Sequence, residues 1–410
     1  MSEQVQVAPE GTSQDTSSRN QHLAAELRRF GTFDELLRSS FYREHRDELT
    51  GLLDAPRVHR AGEVTPRLRS FLRVVEWNIE RGLRLDGIVE VLNAHPVLRF
   101  ADLMLINEVD DGMLRSGNLN VARELGRALS AHAVFGAEYL ELTKGAGDEL
   151  RLAGENTRSL HGNAILTRHV FSSPHIIRLP RCENNFESKE RRIGGRIAIL
   201  IALEVGEASF VVGNTHFDVA GTPNCRSRQM RAMLQSIDNR LGGQKTRAAL
   251  VGGDLNTHTF ARGTKFRAMM NTALILNSHP DTLRRRLMHP EVKEPAIAEL
   301  ARFGYATECF NDRSATSRTI VSDLDDPARL PRPMKWWVAR RVGPEGLLLE
   351  FRLDWMAARG LSALKAGEII DETTGIASVD AQTFPGLRHS GASISDHDPI
   401  VVDIALRPSS

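Results

Sequence analysis

The sequence predicts an α/β sandwich with mixed β-sheets, and three observations carry that expectation. Short apolar runs rich in β-branched residues alternate with stretches whose apolar residues recur at helical spacing. Two of these runs, Arg196–Val205 and Ala208–Asn214, are separated only by Gly206-Glu207, a tight hairpin foreign to a purely parallel sheet. Hydrophobic residues make up 41% of the 410 positions, enough to bury a large core.

Taken in order, residues 1–20 are polar, rich in Ser, Gln and Thr, and are expected to form a disordered tail that cannot offset the entropy of ordering. Residues 21–66 are expected to be a helical extension ending in a linker: Leu23, Leu27, Phe30, Leu36, Leu49 and Leu53 fall at helical spacing, and Pro56 and Pro66 bracket the linker. The main domain is expected over 67–408. Strands are predicted at Phe71–Ile79, Ala101–Ile106, Ala133–Leu142, Asn163–Thr167, Ala248–Gly253, Leu347–Met356 and Ile400–Leu406. Helices are predicted at Gly87–Leu98, Met113–His132, Ser227–Leu241 and Lys293–Phe303. The interval from Asn256 to Phe351, with Arg284-Arg285-Arg286 and Lys335-Trp336-Trp337, has the weakest periodicity and reads as a specificity insertion.

The net charge of +1, from 53 basic and 52 acidic residues, provides no global field to draw the chain onto nucleic acid or an anionic membrane, so any phosphate binding is local. Cys182, Cys225 and Cys309 are far apart and form no C-x-x-C pair, so neither a disulfide framework nor a zinc site is expected. That pattern, with no export signal or membrane span in view, suggests a cytoplasmic protein with no integral membrane association.

Chemistry gathers at strand ends. Asp396-His397-Asp398 enters the last strand, and other apolar runs finish at Asn78 and Glu80, at Glu108, at Asn214, His216 and Asp218, at Asp254 and Asn256, and at Asp354. Strands of one layer bring such ends to a common rim, where ligands bind. Carboxylates and amide oxygens without cysteine favour Mg²⁺ or Mn²⁺ over zinc. Bland explanations compete: Asp218 and Asp398 suit loop fixing, Asn163 suits backbone satisfaction, and an arginine such as Arg196 that opens a strand is ordinarily solvated.

Trp77-Asn78-Ile79-Glu80, Ile106-Asn107-Glu108, His161-Gly162-Asn163, Asn214-Thr215-His216-Phe217-Asp218, Gly253-Asp254-Leu255-Asn256, Leu353-Asp354-Trp355 and Ser395-Asp396-His397-Asp398-Pro399 occur in that order. This series resembles the endonuclease/exonuclease/phosphatase superfamily. The resemblance implies a four-layer α/β/β/α sandwich of two mixed β-sheets and a Mg²⁺-dependent phosphoester hydrolase. It implies Glu108 as the principal metal ligand, Asn78 and Asp396 beside the same ion, and Glu80 serving a second. Asp254 and Asn256 would orient or deprotonate the attacking water. His397, held by Asp354, would act as general base on the phosphoryl side, and His216 would stabilise the phosphate or protonate the leaving group. Asn78, Asn163, Asn214 and Arg196 would face the substrate phosphate. Nucleic-acid phosphodiesters lead as substrate, ahead of small or lipid phosphoesters, with an inactive binding module as the non-enzymatic reading. The sequence leaves the oligomeric state and the role of the N-terminal helices open.

Overall fold

Phe71–Asn78 presents Leu72 and Val74 on one face and Val75 and Trp77 on the other, and all eight of its residues are buried. A strand apolar on both faces must lie between two layers. The computed structural model, which describes residues 13–206, 208–240, 248–260, 264–320, 333, 336–338, 340 and 348–406, places it inside a large sheet.

Helices α1 (Ser13–Leu27), α2 (Phe33–Arg38) and α3 (Ser40–Asp54) precede β1 (Arg57–His59). Then come β2 (Phe71–Asn78), α4 (Leu85–Ala94), β3 (Leu103–Asp111), α5 (Val121–Leu129), β4 (His132–Glu141), β5 (Leu160–Thr167), β6 (Val170–Arg178), β7 (Arg192–Gly194), β8 (Ile197–Val205), β9 (Ala208–Thr215), α6 (Pro223–Arg240) and β10 (Ala249–Asp254). Beyond these lie α7 (Lys265–Asn277), α8 (Pro280–Met288), α9 (Pro295–Arg302), β11 (Ser317–Ile320), β12 (Leu348–Phe351), β13 (Asp354–Arg359), β14 (Gln382–Thr383), β15 (Arg388–His389), β16 (Ala392–Ser393) and β17 (Ile400–Ala405).

The larger sheet has the order β1-β4-β5-β3-β2-β17-β14, with β7 attached to β4; the smaller has the order β13-β10-β9-β8-β6. Each is mixed, with one parallel pair, β2–β3 in the first and β9–β10 in the second. Leu72, Val74, Leu105, Ile199, Val212 and Met356 fill the space between the sheets. Outside the larger sheet, Ile88, Leu92 and Leu125 cover Val75, Trp77 and Ile106; outside the smaller one, Met233, Leu234 and Leu300 cover Val251 and Leu200. The four-layer α/β/β/α sandwich expected from the sequence is the fold observed.

Several boundaries differ from expectation, each for a local reason. Residues 1–12 lie outside the described residues, but α1 begins at Ser13, ahead of the expected end of the tail. Leu23, Leu27, Leu36, Leu49 and Leu53 join the core on the outer face of the larger sheet. Polar side chains of α1 also bond to the loop before β5: Ser17 Oγ to Thr157 O at 2.9 Å, Asn20 Nδ2 to Arg158 O at 2.9 Å and Gln21 Nε2 to Asn156 O at 2.8 Å. Within the expected linker, Arg57–His59 pairs with β4. The expected strand Leu347–Met356 is two strands, because the buried Arg352 turns to Asp312 Oδ1 and Ser314 O, both at 2.7 Å, while β12 pairs with β11 and β13 with β10. Of the tryptophan stretch, Lys335 lies outside the described residues, Trp336 is exposed, and Trp337 packs on a satellite cluster with Phe260, Val338 and Phe351.

Cysteine spacing misled as well. Cys182 and Cys225 form a disulfide with Cα atoms 5.9 Å apart, since the loop after β6 folds over the start of α6; Cys309 is free. The two stand 43 positions apart in sequence, so linear spacing carries no trace of the contact. No described helix is long and apolar enough to cross a membrane.

Arg73 and Asp403 face each other across β2 and β17, fully buried, through Nε–Oδ1 at 2.8 Å and Nη2–Oδ2 at 2.7 Å. Breaking one side of such a pair leaves an uncompensated charge. Arg73→Met is expected to lower the unfolding free energy by about 3–5 kcal/mol in urea titrations, and Arg73→Met with Asp403→Leu to recover most of that loss.

Candidate active site

Asn107, at the bulge in the middle of β3, ties neighbouring strands together. Its Nδ2 donates to Asn163 Oδ1 at 3.0 Å and to Asn214 Oδ1 at 3.1 Å, while its Oδ1 accepts the Asp254 backbone N–H at 2.7 Å. Asn214 in turn donates to Ile106 O at 3.0 Å and Ala164 O at 2.9 Å, which links the two sheets again. Gly253 makes the approach possible: at φ 141° it sits where a Cβ would lie 1.7 Å from Thr215 O.

Asp254 thereby projects into a buried polar centre. Its Oδ2 lies 3.2 Å from Asn78 Nδ2, 3.3 Å from His216 Nε2 and 3.9 Å from His397 Nε2, and its Oδ1 accepts the Asn256 N–H at 2.9 Å. Burial, and then the charge of Asp354, push its carboxyl up to about 7. His397 Nδ1 bonds Asp354 Oδ2 at 2.8 Å. Burial alone would lower the imidazole, but Asp354 and Asp396 carry it well above its ordinary value. His216 is the opposite case: burial and the nearby Arg196 hold it well below, as a neutral ring.

Asn78 Nδ2 also reaches Glu108 Oε1 at 3.3 Å, and Asn78 Oδ1 accepts the Glu80 N–H at 3.1 Å. Glu80 is pushed up to about 7 by burial and then by Asp396 and Glu108, and Asp396 is raised by burial and Glu108. These carboxylates are therefore crowded together. Among the described residues, Asp254, Asp354 and His397 bring ligand atoms within 4.8 Å of one another, a group able to hold a metal ion. The hydrogen bond between His397 and Asp354 accounts for part of that compactness. Glu108, Glu80 and Asp396 supply the remaining excess of negative charge, and oxygen donors without thiolate suit a hard divalent cation. Buried Asp354 Oδ1, which lacks a hydrogen-bond partner, points to the same need for a positive neighbour.

Glu80, Glu108 and Asn256 all have left-handed backbones, with φ of 48°, 52° and 49°. For non-glycine residues such strain persists only where the surroundings over-determine it, and it clusters at functional sites. At Glu108 the cause is visible: β3 does not stop at Asn107-Glu108 as expected but continues through a bulge between Ile106 and Val109 that turns the carboxylate to the rim.

The sequence-predicted residues Asn78, Glu80, Glu108, His216, Asp254, Asn256, Asp354, Asp396 and His397 thus gather at one centre. Asn214 does not face it as a phosphate ligand: both amide hydrogens are spent on backbone carbonyls, so it is scaffold. Asn163 donates to Glu138 Oε1 at 3.0 Å beneath the site. Arg196 is no solvated strand end; it is buried, with Nη1 at 2.7 Å from Glu138 Oε2 and Nε at 3.4 Å from Asp218 Oδ1. Sequence reasoning missed Asn107, visible only as a neighbour of Glu108, and Glu138, hidden inside the apolar pattern of β4. It also missed Glu76, fully buried without a hydrogen-bond partner and raised well above its usual value by burial and by Asp354 and Asp254.

Two facing mixed sheets with carboxylates, amides and imidazoles converging at one rim define a phosphoesterase-type fold with a group able to hold a metal ion. The family model described as the Endonuclease/Exonuclease/phosphatase family matches residues 75–397, and the chain belongs to that family. No curated protein sequence matches it. Among solved structures, an endonuclease/exonuclease/phosphatase from Beutenbergia cavernae is 18% identical, with 82% of this chain and 72% of that one covered and a TM-score of 0.46. The human Nocturnin catalytic domain with bound sulfate is 16% identical, with 86% and 96% covered and a TM-score of 0.45. An endonuclease/exonuclease/phosphatase from Bacteroides vulgatus is 16% identical, with 82% and 99% covered and a TM-score of 0.44.

The crowding at Glu80 has a pH signature. A carboxyl raised to about 7 contributes stability that is present below its unfolded value of 4.5 and is lost as pH rises through 7. In EDTA, the melting temperature of the wild type is expected to fall relative to that of Glu80→Gln between pH 5 and pH 8; parallel curves refute the crowding.

Proposed function

We propose that the chain is a Mg²⁺-dependent hydrolase that cleaves phosphodiester bonds in nucleic acid by in-line attack of water. The observation that supports this best is Asp254, a buried carboxylate raised to about 7 and flanked by Asn78, His216 and His397. A base works best when its affinity for protons matches the working pH. We assign Asp254 as acceptor of the water proton, with Asn256 orienting the same loop. His397, held by Asp354, is assigned to stabilise negative charge on the phosphoryl oxygens. His216, neutral, donates a hydrogen bond instead of a proton. Glu108, Asp396, Asn78 and Glu80 are the residues assigned to the metal. A divalent ion there supplies charge neutralisation at the phosphate and its leaving oxygen.

We take residues 67–408 as the catalytic unit and, in place of the expected 21–66, the segment 13–66 as an extension docked on it. For the compartment, the cysteine pattern reads as cytoplasmic, whereas a Cys182–Cys225 bond belongs in an oxidising setting. Counting free thiols in protein isolated without reductant decides between the two: one for the bonded form, three for the reduced form.

The activity is tested on purified protein with single- and double-stranded DNA, RNA, an inositol polyphosphate, sphingomyelin and bis-p-nitrophenyl phosphate. Hydrolysis is expected to require Mg²⁺, to stop with EDTA, and to fall roughly a thousandfold in Asp254→Asn and in His397→Gln with little change in melting temperature. Preference for a lipid or inositol substrate would replace nucleic acid in this reading, and no turnover of any substrate by folded protein would overturn it.

A further inference from the structure

Arg81 stands one residue beyond Glu80, and it too is left-handed, at φ 65°. Its guanidinium is 3.9 Å from Glu108 Oε2, 2.8 Å from Glu149 Oε1 and 3.7 Å from Glu190 Oε2. It therefore stands between the catalytic centre and two loops at its rim. Nearby Arg115 contacts the same two glutamates, 3.7 Å from Glu149 and in direct contact with Glu190, and is fixed to Asp110 at 2.8 Å. Arg192 lies 3.8 Å from Glu190.

The three arginines differ in freedom. The side chain of Arg115 is 1% exposed and that of Arg192 16%, whereas that of Arg81 is 29% exposed. If Arg81 turned away, Glu149 would keep Arg115, and Glu190 would keep Arg115 and Arg192. Neither of these carboxylates would be stranded, and Glu108, 3.9 Å from Arg81, would keep its bond from Asn78, so the guanidinium can be given up to an incoming anion. Two carboxylates converging on one arginine also mark the geometry that phosphate oxygens would take. A purely structural ion pair needs no strained backbone beside a catalytic glutamate.

We propose that Arg81 binds an anionic group next to the scissile phosphate, so that the protein selects phosphoesters carrying a second phosphate. This rests on the hydrolase reading above for the position of the scissile phosphate. Glu149 and Glu190 hold the arginine until the substrate's anion replaces them.

Calorimetric titration of the full chain in excess Mg²⁺ with inorganic pyrophosphate and with orthophosphate tests this without turnover. Arg81→Gln is expected to weaken pyrophosphate binding about tenfold while changing orthophosphate binding about twofold or less. Glu149→Gln, which removes a competitor for the guanidinium, is expected to tighten pyrophosphate binding. Arg81→Gly, which suits the left-handed backbone, is expected to keep or raise the melting temperature. A wild type that does not bind pyrophosphate, an unchanged affinity in Arg81→Gln, or loss of both affinity and melting temperature in Glu149→Gln and Arg81→Gly alike would overturn the proposal, the last by showing a structural staple. Wild-type protein that binds pyrophosphate through Arg81 yet hydrolyses nothing in the substrate panel would instead count against the hydrolase reading alone.

Discussion

The buried side chain of Asn107 is the joint on which the rest of the site depends. One amide bonds to groups from β5, β9 and β10, and so fixes where the ends of two sheets stand relative to each other. A buried amide that loses its partners forfeits more than the hydrogen bonds themselves, because each abandoned group stays out of reach of water. The arrangement is rigid for that reason. It lets Asp254 be held within hydrogen-bond distance of groups that would otherwise avoid it.

Upon that joint the chain builds a centre with too much negative charge for its own comfort. Glu80, Glu108, Asp254, Asp354 and Asp396 meet within one rim, with His397 beside Asp354 and Arg81 beside Glu108 as the cations set against them. Burial, and then Asp354 and Asp254, raise the proton affinity of Glu76 well above its usual value. A protein selected for stability alone would not assemble such a set, since like charges in a dry site raise one another's proton affinity. The left-handed backbones at Glu80, Glu108 and Asn256 belong to the same trade of stability for placement.

Much of this was legible in the sequence, and the reason is local. Asp254 and His397 each adjoin an apolar strand, so a common rim of polar groups followed from strand ends, while the four-layer sandwich and the residue roles came from the ordered motifs and the family they resemble. What escaped was set by distant partners. Arg196 looks solvated until Glu138, buried in β4, comes across to meet it. Asn214 sits in a motif like a ligand, yet its amide is consumed by carbonyls of β3 and β5. Cys182 and Cys225 meet through a loop whose path the spacing does not encode. The break at Arg352 was missed because a single buried arginine, and no glycine or proline, divides two apolar strands.

The pairing of β17 with β2 has a consequence for the making of the protein. β2, an interior strand of the larger sheet, waits for a partner more than three hundred residues downstream, and Asp396 and His397 arrive on the same late segment. Contacts of such long range form last and slowly. While the chain is still emerging from the ribosome, therefore, the carboxylates of the early strands are already made, but the catalytic centre cannot close. The rim takes its final form only when residues 396–405 dock against β2, so the last segment made is the one that completes the site.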